Sequence, residues 1–238
     1  ATKQNKATKQ YKIGRYEVTA GQWGEFFTAV AAQSQPLPWV TQPSIWHGTS
    51  PGPSLQMMPV GGVTWRTAAM YCNWLHNGKT TDRAGFMSGA YDVSTFGVDD
   101  DGVRTDQAAH SPGARYWIPT LDEWMKAAHY DPGKPNADGS VGGWWLYLSS
   151  DTPLRYGLPS WLGGNGQANA GFSLQDDAQF GIPLGAYADS LSPWGLLDTA
   201  GATTEYTETV YQTTDGLRYR ITDGSAWATP NTATDRAY

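Results

Sequence analysis

The chain has 238 residues, of which only 16% are charged and 13% aromatic, and a formal net charge of −6. That balance excludes nucleic-acid binding, since no basic run exists beyond scattered lysines between Ala1 and Lys12. The single cysteine, Cys72, excludes an internal disulfide, a paired-cysteine redox site and a cysteine-rich zinc site. No apolar run reaches the length of a membrane span. The sequence starts without Met and carries no recognisable signal peptide, so it reads as a processed or cropped product. With 28 Gly and 15 Pro against 12 Trp and 13 Tyr, it reads as one loop-rich domain whose irregular backbone is wedged in place by aromatics.

In chain order, Tyr11–Val18 reads as a short strand, and a helix follows Thr19. Gln22 completes a capping box there. Trp23, Phe26, Phe27 and Val30 then recur at the spacing of one buried helical face. A second helix starts at Thr64, with Ala68, Tyr71, Cys72 and Leu75 on its apolar face and Gly78 as its stop. Cys72 therefore reads as core rather than as a reactive thiol. A third helix follows Thr120, capped by Glu123 and burying Trp124, Ala127 and Ala128; His129 and Asp131-Pro132 end it. Pro183–Tyr187 and Leu217–Ile221 read as further strands. Irregular stretches at 33–59, 79–113 and 131–167 are long for a compact domain, and such loops are usually functional or ligand-held. Asp99-Asp-Asp-Gly102 lacks the alternate spacing of an EF-hand and reads as a solvated turn.

Five segments stand in a recognisable order. They are YKIGRYEVTAGQW (11–23), MPVGGVTWRTAAMYCNWLHNG (58–78), ARYWIPTLDEWMKAAHYDP (114–132), SPWGLLDTAGATTEY (192–206) and RITDGSAW (220–227). Together they resemble the formylglycine-generating enzyme, or sulfatase-modifying factor, family. The resemblance implies an α+β, C-type-lectin-like fold with few helices, a small twisted antiparallel sheet and much irregular backbone. It also implies a calcium ion in the turn 198–205, with side-chain oxygens from Asp198 and Glu205 and backbone carbonyls from Gly201 and Thr203. Calcium takes six to eight oxygens in loose geometry, which such a turn can offer. Asp198 replaces the family's usual Asn and adds a negative charge. A second calcium site is implied at Asn169 and Asp176, with Asp177 as the alternative to Asp176. From spacing alone, Asp198 capping a turn and Glu205 pairing with a surface arginine would explain the same residues.

The oxidase branch of the family depends on two copper-binding cysteines after a Gly-Gly-Ser-Trp segment. Here the segment is Asp223-Gly-Ser-Ala-Trp227, the first ligand would fall near Thr234, and no cysteine follows. No copper is expected. His47, His76, His110 and His129 show no metal-ligand spacing and read as surface or cap residues. GATTEY stands where the family has GNVWEW, so two tryptophans have become Thr204 and Tyr206. The resemblance is to secreted bacterial members attached to the cell surface. It implies an extracellular, calcium-stabilised, non-catalytic domain that binds a protein or glycan partner or assembles with itself. Trp39, Trp46, Trp144, Trp145 and Trp161 are the candidate binding surface, against a simpler role in anchoring loops. The alternatives are a formylglycine-type oxidoreductase and a variable receptor- or glycan-binding lectin-like module. The family's final strand, closing on Gly-Phe-Arg, has no counterpart before Tyr238. Either the chain continues in the full protein, or a neighbouring chain supplies that strand.

Overall fold

The computed structural model describes residues 10–45, 48–172 and 181–226. Among these, four helices run at Ala20–Ala31 (α1), Trp65–His76 (α2), Ala84–Met87 (α3) and Leu121–His129 (α4). Four strands run at Tyr130–Pro135 (β1), Val141–Trp144 (β2), Glu205–Gln212 (β3) and Arg218–Asp223 (β4). The capping chemistry works as the sequence implies. Thr19 Oγ1 accepts the Gln22 N–H at 3.2 Å while Gln22 Oε1 accepts the Thr19 N–H at 3.1 Å. Thr120 and Glu123 repeat the box at the head of α4, and Thr64 caps α2.

The core is aromatic. Phe26 of α1 lies 5.4 Å from Tyr71 and 5.6 Å from Trp74 of α2, ring centre to ring centre, and 6.0 Å from Phe86 of α3. Edge and tilted contacts of this kind add to burial itself. Cys72 is buried with them, as the helical spacing requires. The long loop 79–113 is held by aromatic and polar contacts together: Tyr91 and Phe96 pack on Trp65 with ring centres at 5.3 and 5.9 Å, and polar side chains answer its backbone. Asn73 is fully buried; its amide donates to Phe86 O and Tyr91 O at 3.0 and 2.8 Å, and its carbonyl accepts the Tyr91 N–H at 2.7 Å. The Asn77 amide donates to the loop carbonyls of Gly85 and Ser88, and Arg66 and Arg220 donate to the carbonyls of Gly97 and Gln107 at 2.6 Å each. Buried carbonyls off the sheet need such donors. Asp99 accepts the N–H groups of Asp101 and Val103, as a turn residue does.

The strands differ from the sequence expectation. Among the described residues there are two separate antiparallel pairs, β1–β2 and β3–β4, rather than one small sheet. Leu217–Ile221 falls in β4. Tyr11–Val18 bends at 15–17 and forms no ladder among the described residues; the Leu197 N–H donates to Arg15 O at 2.9 Å. Pro183–Tyr187 is a turn, closed by the Ala186 N–H on Pro183 O. β3 was hidden because its first residue, Glu205, reads as the end of a metal-binding turn. It pairs across to Asp223, and a bulge separates Tyr206 from Val210. Glu205 therefore sits at the head of a strand, directly after the turn.

Candidate functional site: an acidic centre beside an aromatic cleft

The segment 196–202 is buried almost throughout, which is unusual for a turn. It changes direction through left-handed backbone at Asp198 (φ 56°), Gly201 (φ 86°) and Ala202 (φ 58°). Gly201 is required twice over, because a Cβ there would lie 2.7 Å from the Asn169 carbonyl oxygen. The Ala202 N–H donates to that same carbonyl at 2.8 Å, and the Gly201 N–H donates to Ser225 Oγ at 3.0 Å. Among the described residues no backbone amide donates to the Gly201 or Thr203 carbonyl.

Four carboxyls meet around this turn, those of Glu17, Asp198, Glu205 and, opposite Glu205 in the β3–β4 pair, Asp223. Asp198 Oδ2 accepts the Gly185 N–H at 2.6 Å, so one of its oxygens caps a turn, as spacing alone allows. Glu205 has both carboxyl oxygens sealed from solvent, with no geometrically good donor among the described residues. Its expected surface arginine is not what it meets; it meets Glu17, brought in from the N-terminal segment. Glu17 Oε1 accepts the Thr203 N–H at 3.3 Å, while its Oε2 is sealed and without a donor. Burial, reinforced by Asp198, pushes the Glu17 carboxyl up to about 8. Burial pushes Asp198 up to about 6, and burial together with Glu17 raises Glu205 well above the usual carboxylate range. Of the groups acting on Glu17, Asp198 and Glu205, none is cationic.

A cation fits this donor set. Sealed carboxylate oxygens without donors are costly unless a charge or a proton answers them. The space beside Glu205 is kept by Gly224 (φ 75°), where a Cβ would come within 2.2 Å of Glu205 Oε2. Among the described residues no three His, Cys, Asp or Glu side chains are grouped to hold a metal, so main-chain carbonyls must complete any shell. Of the second implied site, Asn169 lies against Gly201 of the first turn, while Asp176 and Asp177 fall outside the described residues.

The centre forms one end of a cleft of about 850 Å³. Tyr11, Tyr16, Trp23, Tyr71, Trp117 and Tyr206 give it aromatic walls. Glu17, Asp198 and Glu205 line it too, and Cys72 reaches it from α2. Burial pushes the Cys72 thiol up to about 12. The candidate tryptophans lie elsewhere, and none of the four described ones lines the cleft. Trp39 stands under Arg66, whose guanidinium is 4.0 Å from the ring centre. Trp144 packs on Tyr130, and Trp145 donates to Asp131 at 3.0 Å beneath Lys134. Trp39, Trp144 and Trp161 are nonetheless exposed, at 42%, 39% and 57%, and Trp46 falls outside the described residues. The sequence reading missed Glu17 and Trp194, the latter 52% exposed. His129 ends α4, as the cap reading expects, and is buried there, while half-buried His110 has its Nδ1 2.9 Å from buried Glu208. His47 and the copper-ligand position near Thr234 fall outside the described residues, as does the chain's end.

A few helices, two small antiparallel sheets and a buried acidic turn define an α+β domain of the formylglycine-generating, C-type-lectin-like class. The chain belongs to the sulfatase-modifying factor enzyme 1-like domain family, which matches residues 1–237. It is similar to the crystal structure of CarF at a TM-score of 0.53 and 20% identity, over 93% of this chain and 76% of that one. No curated protein matches the sequence. Among the described residues no helix is long and apolar enough to cross a membrane.

Proposed function

We propose that this protein is a non-catalytic, calcium-stabilised extracellular domain that binds a protein or glycan partner. The observation that carries the reading is the aromatic cleft ending on carboxylates without donors. Its volume falls within the roughly 300–1,000 Å³ typical of ligand sites. Aromatic walls suit both sugar stacking and protein contacts. Calcium would be held by Glu205, Asp198 and the carbonyls of Gly201 and Thr203, and it would supply charge neutralisation and rigidity rather than chemistry. A site built from few carboxylates is filled at the calcium levels found outside cells, which supports the extracellular assignment. Against an oxidase stands the thiol count. The one cysteine is buried and its thiol is held far from ionisation. A copper site of the thiolate kind needs ionised sulfur.

The test is metal analysis of the purified protein, with an oxygen-consumption assay on a cysteine peptide. Calcium without turnover is the expected result. Copper or iron near one per chain, with turnover, would restore the oxidoreductase reading.

A further inference from the structure

We propose that the surface around Trp39 is a second binding site, for the acid-bearing sugar rings of an acidic polysaccharide. It goes beyond the reading above, since none of its residues lines the cleft and none depends on calcium. Trp39 sits in a turn with Pro38 and has left-handed backbone (φ 62°), a position that Gly or Asn normally takes. A bulky residue there is strained, and such strain persists only where the surroundings impose it. Here they do. The fully buried Thr67 hydroxyl donates to Trp39 O at 3.0 Å and accepts the Thr41 N–H at 3.1 Å. Leu37 is buried and Val40 packs on the core, so the turn has apolar anchors on both sides of Trp39. The indole itself stays 42% exposed, with the Arg66 guanidinium over its ring. A ring set in place before binding has little freedom left to lose.

Charge decides what the sugar must carry. Arg66 binds Asp106 Oδ1 through Nε at 2.9 Å and through a terminal nitrogen at 2.7 Å, so one guanidinium separates Trp39 from Asp106. Asp106 in turn lines a shallow depression with Arg104, Arg218 and Arg220. Two of these arginines are spent, Arg66 on Asp106 and Gly97 O, and Arg220 on the carbonyls of Gln107, Ala108 and Glu208. Arg104 and Arg218 are not. Among the described residues neither pairs with a carboxylate, and the side-chain hydrogen bond between them runs from Arg218 Nη1 to Arg104 O at 3.3 Å. Burial lowers Arg220 to about 10, and repulsion from Arg218 adds to that. Asp99, in the neighbouring turn, spends its Oδ1 on the amides of Asp101 and Val103. A chain of net charge −6 that gathers arginines and leaves two unpaired offers them to an anion. Guanidinium groups take the oxygens of such an anion in pairs, and an indole takes the apolar face of a sugar ring.

The experiment measures binding of the full chain to polygalacturonate, dextran sulfate, neutral dextran and polyglutamate by biolayer interferometry, with a melting temperature for every variant. At least one acidic polysaccharide should bind, and the tighter of the two identifies the acid as carboxylate or sulfate. Neutral dextran should not bind, and polyglutamate, which offers charge without a ring, should bind at least about tenfold more weakly. Trp39→Leu keeps apolar bulk without the ring and should weaken binding about tenfold, whereas Trp39→Tyr should restore most of it. Arg104→Gln and Arg218→Gln should each weaken binding about fivefold. Failure of both acidic polysaccharides to bind overturns the proposal. So does polyglutamate binding as tightly as the better polysaccharide, because only a charged surface is then left. A Trp39→Leu loss below about threefold, or an equal loss in Trp39→Tyr, refutes the stacking role. Arg104 is exposed and unpaired, so Arg104→Gln should melt as the native protein does. Native binding in that variant refutes the site whatever Trp39→Leu does to the fold.

Discussion

Removing calcium should lower the melting temperature by an amount that follows from binding alone. Glu205 holds two sealed oxygens with no geometrically good donor among the described residues, so the metal-free fold must either protonate the centre or bear buried charge. A ligand bound only by the folded state adds about 2.7 kcal/mol at a hundredfold excess over its dissociation constant. For a chain of this size each 1 kcal/mol moves the midpoint by about 2–4 °C, so chelation should lower it by roughly 5–11 °C. Glu205→Gln removes the charge but keeps the shape. It should abolish most of the difference between calcium and chelator, because the remaining carbonyls bind calcium weakly without it. The assay is a melting curve in calcium and in chelator, for both proteins, with calcium content measured beforehand. An unchanged native curve on chelation, from protein that began with calcium bound, would refute the reasoning.

The chelated protein should become more stable as pH falls from 8 to 6.5. Glu17 is raised to about 8 by burial, so the folded state binds a proton that the unfolded chain releases, and this contribution is lost as pH rises through 8. His129 acts in the opposite sense: burial lowers it, so its contribution falls away only as pH drops below the unfolded value near 6.5. A melting temperature that rises between pH 6.5 and 8 would contradict the Glu17 assignment. Cys72 should resist thiol reagents at pH 8 in the native state and react fully in denaturant, since it is buried and its thiol is pushed up to about 12. Rapid native labelling would reopen a catalytic role for it. Asn73→Ala should cost about 3 kcal/mol or more in chemical denaturation, because three buried hydrogen bonds are lost together. A loss under 1 kcal/mol would mean that the loop 79–113 is held by other contacts.

The sequence by itself determined the local structures that short-range chemistry can set. Thr19 with Gln22, and Thr120 with Glu123, cap helices because the partners lie within one turn. The period of Trp23, Phe26 and Phe27 fixed which face of α1 turns inward. Five ordered motifs were enough for the family and its fold class, because they are spread from residue 11 to 227 in a fixed order. Pairings set by distance in the chain were decided only in three dimensions. Tyr11–Val18 has strand character, but an edge becomes a strand only when a partner lies beside it. The neighbours of Trp144 and Trp145, namely Tyr130, Asp131 and Lys134, could not be read from the sequence. The acidic centre is the clearest case. Asp198 and Glu205 could be read from their spacing in one turn, whereas Glu17 reaches Glu205 only because the N-terminal segment lies against the turn, with the Leu197 N–H on Arg15 O and the Thr203 N–H on Glu17 Oε1. No local pattern records that meeting, and it is the meeting of the two carboxyls that gives the site its unanswered charge.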